Sequence, residues 1–321
     1  MKRYITLLLA ALLLTGCATP GNTQPDTSAG DGELRVLAST YPVYLFACAV
    51  TEGVEGVVVE QLSTGQNSCL HDYTLTVDDI KKIEGADVIA LNGAGLEVFM
   101  TDALAGASAI VINCAQGVEL LESLSHHHEE GDDHDHDHGH WDPHIWMDPD
   151  RAVQMIGNLQ AGLTQADGAH AEQYQANAEA AAALLNGGKQ GFAAQTLTEL
   201  ATTHAALDGA CAHLELITFH DGFQYFAQAY GLNLLASIEE EAGSTAGANE
   251  IYEIAGLVKE YNIPAIFVEV SGSDSTAQAI SRETGCKVYA LDMIMSGEGT
   301  GIADYQTAML ANLQTIAEAL K

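Results

Sequence analysis

The sequence predicts an α/β protein of two lobes, each built on a mainly parallel sheet, with one long helix between them. Three observations carry this. About 290 residues remain after the leader and its tether, more than one small core accommodates. Short apolar strands alternate with helical stretches, the pattern of a parallel sheet. Between two such alternations lies an alanine-rich run from Ala169 to about Ala201, broken only by Gly187-Gly188 and dominated by Ala, Glu, Gln and Leu, all strong helix formers.

The chain opens on Lys2 and Arg3, an apolar stretch from Ile5 to Leu14 interrupted only by Thr6, and Leu14-Thr15-Gly16-Cys17. This resembles a bacterial lipoprotein signal with its lipobox, and it is too short to span a membrane. Residues 1–17 are therefore expected to end in a lipidated Cys17 that holds the protein on the outer face of the cell membrane. Residues 18–32, rich in Thr, Gly, Pro and Asp, read as a flexible tether.

The first lobe is expected over residues 33–165. Leu34 to Ser39 reads as a strand, Val43 to Val50 as a helix, and Gly56 to Leu62 as a second apolar run. Val77 to Glu84 reads as a helix, Val88 to Leu91 as a strand, Leu96 to Leu104 as a helical stretch, and Ala109 to Ile112 as a strand. Asp148-Pro149-Asp150 marks a helix start, after which Val153, Ile156, Leu159 and Leu163 recur at helical spacing. Residues 166–204 are expected to form the connecting helix and 205–321 the second lobe. There Leu214 to Phe219, Leu234 to Ile238, Ala265 to Val270 and Lys287 to Leu291 read as strands. Phe223 to Tyr230, Ala248 to Tyr261 and Tyr305 to Leu320 read as helices.

A formal charge of −33 disfavours nucleic acid as a partner and favours cations at the surface. Apart from Cys17, five cysteines remain: Cys48, Cys69, Cys114, Cys211 and Cys286. The number is odd, so at least one is expected to be unpaired, and the long spacings contain no cysteine zinc motif.

The densest chemistry lies between His126 and Pro149. His126, His127, His128, His134, His136, His138 and His140 are interleaved with Glu129, Glu130, Asp132, Asp133, Asp135 and Asp137, with no apolar residue to hold a helix or strand. Residues 125–140 therefore read as a metal-collecting loop. Unperturbed imidazoles titrate near pH 6.5, so collection by the loop is expected to weaken towards pH 5. His144, in D-P-H-I-W, sits in an apolar setting instead. Together with His71 and His220 it is expected at a strand end, where α/β folds place ligands. Asp292, after V-Y-A-L, is the fourth candidate. Three imidazoles plus a carboxylate or a water satisfy tetrahedral Zn²⁺. Nitrogen-rich ligation favours zinc over manganese, although Cu²⁺ binds such a set more tightly where it is available. A catalytic zinc also fits three protein ligands and an open position, but the chain has no H-E-x-x-H and no evident general base beyond Asp292 and Glu269, so an enzyme is not expected.

Motifs over about 250 residues resemble one family, the zinc-type metal-binding lipoproteins of ABC importers, cluster A-I solute-binding proteins. They are V-L-A-S-T-Y-P-V-Y at Val36 to Tyr44, H-D-Y-T-L-T-V-D-D-I at His71 to Ile80 and A-D-V-I-A-L-N-G-A-G-L-E at Ala86 to Glu97. The histidine-rich insertion with D-P-H-I-W-M-D-P follows, then F-H-D-G-F-Q-Y-F at Phe219 to Phe226, I-F-V-E at Ile266 to Glu269 and Y-A-L-D at Tyr289 to Asp292. The resemblance implies a rigid connecting helix, a metal held in the cleft between the lobes, and ligand roles for His71, His144, His220 and Asp292. It implies a monomer that delivers Zn²⁺ to an ABC permease; manganese or broader divalent-metal binding in the same family, and a surface zinc buffer or adhesin, are the alternatives. Leu70 stands where some relatives carry an acidic residue, and Cys69 beside it is expected to be structural or disulfide-bonded rather than a ligand.

Overall fold

A computed structural model describes residues 32–62, 73–124, 141–188, 215–239, 247–270 and 274–320. The leader with Cys17, the tether up to residue 31, His71, Cys69, Cys211, the histidine-rich segment 125–140 and the connector beyond 188 lie outside the described residues.

The first sheet contains β1 (Leu34–Ala38), β2 (Val57–Gln61), β3 (Val88–Leu91) and β4 (Ile110–Asn113), all parallel, in the order β2-β1-β3-β4. Helices α1 (Tyr41–Val50), α2 (Val77–Gly85) and α3 (Thr101–Gly106) form the crossovers. The second sheet repeats the scheme with β5 (Glu215–His220), β6 (Asn233–Glu239), β7 (Ala265–Glu269) and β8 (Lys287–Leu291), again parallel, in the order β6-β5-β7-β8. Between the sheets in sequence run α4 (Pro149–Ala166) and α5 (Ala171–Gly188). The second lobe adds α6 (Gln224–Tyr230), α7 (Ala248–Glu260), α8 (Ser275–Thr284) and α9 (Ile302–Ala319).

Burial of the central strands β1, β3, β5 and β7 on both faces explains their continuous apolar runs. Val36, Ala38, Val88 and Ala90 face one core, while Leu37 and Ile89 face another beneath α2 and α3. In the second sheet Leu216, Ala265 and Phe267 share that first core, and Ile217, Phe219, Ile266 and Val268 pack towards α7 and α8. One central core thus runs from sheet to sheet through α1, α4, α5 and α9. α4 buries Ala152, Met155, Ile156, Leu159 and Leu163, the expected helical stripe. It starts where Asp148 Oδ1 accepts the Asp150 amide (2.9 Å) and Pro149 takes the first turn, where no amide donor is needed.

The expected strands appear within a residue of their bounds. Two helical readings need correction. Leu96 to Leu104 is not one helix: a 3-10 turn at Val98–Met100 leads into α3, because positive φ at Gly93, Ala94 and Gly95 and the anchoring of Glu97 tighten the preceding loop. The sequence reading also passed over α8, whose S-T-A-Q-A-I-S-R-E-T buries only Thr276, Ala277 and Ile280, a stripe too short to stand out, and which stops at Gly285 in the left-handed region (φ 82°). Among the described residues, Cys48, Cys114 and Cys286 are free thiols, and burial pushes the Cys48 and Cys114 thiols up.

Candidate metal centre

In both sheets the chain leaves the first strand to one side and returns to the other. The topological switch point therefore lies between β1 and β3 in one lobe and between β5 and β7 in the other, where open α/β sheets gather ligands.

His220 is the last residue of β5, and only 2% of it is exposed. The apolar run that precedes it, and the Thr218 hydroxyl that donates to its carbonyl (3.0 Å), fix its backbone. Its Nδ1 lies 3.7 Å from Oε1 of Glu269, the buried last residue of β7. Gly222 leaves room for this ring: a Cβ there would lie 2.3 Å from Met293 Cε and 3.0 Å from His220 Cδ2.

His144 does not stand at a strand end, as the sequence suggested. It caps the one-turn 3-10 helix Ile145–Met147 and is likewise 2% exposed. Polar groups hold it there. Asp142 Oδ1 accepts both the His144 amide (2.9 Å) and Nδ1 (2.7 Å), a local turn that Asp two residues earlier makes possible. The Asp142 carbonyl accepts the Tyr225 hydroxyl (2.8 Å), which itself accepts the Leu121 amide (2.9 Å). The Arg151 guanidinium lies over the Tyr225 ring at 4.7 Å.

These two frames bring the rings together. Nε2 of His144 and Nε2 of His220 are 3.3 Å apart, with the ring planes at 89°. The Asp142 carboxylate bonded to His144 Nδ1 favours the tautomer that carries its proton there and leaves the His144 Nε2 lone pair facing the His220 ring. Two imidazoles at Zn–N distances of about 2.0–2.1 Å and a tetrahedral angle would stand about 3.3–3.4 Å apart. The pair thus has the spacing of two ligands on one zinc ion.

Asp292 follows β8, and its backbone is clasped by Asn312, whose Oδ1 accepts the Asp292 amide (2.8 Å) and whose Nδ2 donates to its carbonyl (2.7 Å). Its Oδ1 accepts the Ile294 amide (2.7 Å), and burial pushes its carboxyl up. The neighbouring Met293 carbonyl accepts the Trp146 indole N–H (2.9 Å), tying this turn to the turn that begins at His144. Among the described residues no three His, Cys, Asp or Glu side chains form a group able to hold a metal, so the structure gathers His144 with His220 but not the Asp292 carboxyl. Asp142 and Asp221 escaped sequence reasoning; D-P-H, with a carboxylate two residues before a histidine, was the available signal for the first. Asp221 is buried, and burial followed by the nearby Asp142 raises its carboxyl.

Comparison with known proteins places the chain in a family. The family profile described as zinc-uptake complex component A periplasmic matches residues 36–319, and a prokaryotic membrane lipoprotein lipid attachment site matches residues 1–18. The zinc-binding protein AdcA of Streptococcus pyogenes is 27% identical over 332 residues, covering 98% of this chain and 61% of the relative. This chain thus spans about three-fifths of the length of the AdcA relatives. The high-affinity zinc uptake system protein ZnuA of Bacillus subtilis is 27% identical over 300 residues, covering 91% of this chain and 89% of that protein. A crystal structure of ZnuA superposes with a TM-score of 0.72 at 26% identity, over 90% of this chain and all of that one. The laminin-binding protein Lmb of Streptococcus agalactiae shares the fold at 23% identity, with a TM-score of 0.73 over 90% of this chain and 100% of its own. With the match running from β1 to the end of α9, the chain belongs to the zinc-uptake complex component A periplasmic family and is a lipid-anchored, extracytoplasmic protein.

Proposed function

We propose that the protein captures Zn²⁺ outside the cell membrane and hands it, as a monomer, to the permease of an ABC importer, without catalysing a reaction. The observation that carries this reading is the pair of buried Nε2 atoms 3.3 Å apart, each ring backed by a carboxylate. Its relatives' names, zinc-binding AdcA and zinc-uptake ZnuA, agree with it. His71 supplies the third imidazole, and Asp292 or a water closes the tetrahedron. Residues 33–165 and 205–321 act as the two lobes, with 166–204 connecting them. Binding requires neutral imidazoles, so zinc displaces protons and affinity falls as the pH drops. The imidazole-rich set selects zinc over manganese.

Isothermal titration of the lipid-free mature chain with Zn²⁺ tests the reading. One tight site is expected, weakened in His71→Ala, His144→Ala and His220→Ala; tight binding that survives all three substitutions overturns it. Residues 126–140 act as an accessory collector. Deleting them is expected to remove weak zinc equivalents and leave the tight site. Loss of most binding instead would make the protein a zinc buffer.

A further inference from the structure

The motif L-N-G-A-G-L-E stands at the switch point of the first sheet. Asn92 follows β3 directly and is fully buried. Its amide donates to Glu97 Oε1 (2.7 Å) and to Ser39 Oγ (3.1 Å), and Ser39 Oγ donates to the same Glu97 oxygen (2.6 Å). Glu97 Oε2 accepts the Gly93 amide (3.0 Å). The backbone is shaped for this: Gly93 has φ +85°, and a Cβ there would lie 2.0 Å from Asn113 Oδ1.

Such a network is a costly way to close a loop. A carboxylate is buried among neutral donors, and burial pushes it up despite them. Asn92 Oδ1 is buried without a hydrogen-bond partner among the described residues. What the arrangement secures is the other half of that amide. Asn92 Nδ2 donates to the Pro143 carbonyl (2.9 Å), the peptide group immediately before His144, as well as to the Gly93 carbonyl (3.1 Å).

We infer that Asn92, held by Glu97 and Ser39, is a positioning residue that sets His144 at ligand distance from His220 through the Pro143 carbonyl. The inference rests on the zinc-binding reading above. It assigns to the first switch point a task in setting metal affinity and geometry, although none of its three side chains is proposed as a ligand.

Asn92→Leu removes the donor at similar volume and leaves the backbone amide to Glu97. Zn²⁺ affinity of the mature chain, the visible absorption of its Co²⁺ form and the thermal midpoint without metal are measured for the wild type, for this variant and for Tyr174→Phe. The last loses a hydroxyl bond to Asp167 (2.9 Å) remote from the site and serves as a control for stability alone. Asn92→Leu is expected to lose about tenfold in Zn²⁺ affinity, as outer partners of ligands do, and to shift the Co²⁺ spectrum. Tyr174→Phe is expected to lower the midpoint only. If Asn92→Leu does not fold, Glu97→Gln and the one-atom deletion Ser39→Ala decide the matter, each expected to change affinity and spectrum in the same direction. Folded variants with wild-type affinity and spectrum overturn the inference. A wild type that binds no zinc tightly overturns the parent reading instead.

Discussion

The two sheets share one strand order and furnish their switch points differently. Between β5 and β7 the chain places its buried polar groups on the sheet itself, His220 closing one strand and Glu269 the other. Between β1 and β3 it places Ser39, Asn92 and Glu97, which reach the site through the carbonyl before His144. One imidazole is therefore aimed by a buried strand and the other by polar clasps on an irregular segment. A strand-borne ligand draws its precision from sheet and core. A loop-borne ligand needs dedicated partners, and removing those partners should reveal the difference.

The largest effects are expected from the two imidazoles proposed as ligands. His144→Ala and His220→Ala are each expected to weaken Zn²⁺ binding by more than about 100-fold, the upper range for outer partners, in isothermal titration. If one is dispensable, the two imidazoles do not share an ion.

Next come the carboxylates. Asp142 Oδ1 sits 2.7 Å from Nδ1 and also holds the His144 amide, whereas Glu269 is 3.7 Å from its ring. Asp142→Asn should therefore lose about 100-fold and Glu269→Gln about tenfold in Zn²⁺ affinity, measured by competition with a chelator. Equal losses would mean that strand and loop impose similar demands.

Tyr225→Phe leaves the Leu121 amide and the Asp142 carbonyl without their shared hydroxyl. A loss of about 1–3 kcal/mol is expected from urea unfolding of the metal-free protein, with a smaller change in affinity.

The smallest effect belongs to a first-lobe feature outside the comparison. Burial raises the Asp79 carboxyl, but the Thr76 hydroxyl and amide, the Tyr73 hydroxyl and Lys82 outweigh it and hold the group below the usual range. Its folded pKa is lower than its unfolded value near 3.9, so its contribution is present above about pH 4 and is lost as the pH falls through the folded value. Asp79→Asn should lower urea stability by about 1 kcal/mol at pH 7, by less at pH 3, and leave zinc affinity unchanged.

Much of this was legible in the sequence because central strands buried on both faces leave unmistakable apolar runs, and β3 appears with the expected bounds. His220 was legible for the same reason, standing at the end of L-E-L-I-T-F. His144 was recognised by its apolar setting but misplaced at a strand end, since the turn signal of Asp142 in D-P-H was passed over. The partners that aim it, Asn92 and Tyr225, lie 52 and 81 positions away along the chain, and only the fold brings them to it. The α8 helix was missed because its buried stripe rests on three residues.

The most direct test is a zinc-edge anomalous map of crystals of the mature chain grown with one equivalent of Zn²⁺. A single strong peak is expected between His144 and His220, within about 2.0–2.1 Å of both Nε2 atoms. A strong peak elsewhere, with neither nitrogen in contact, would contradict it.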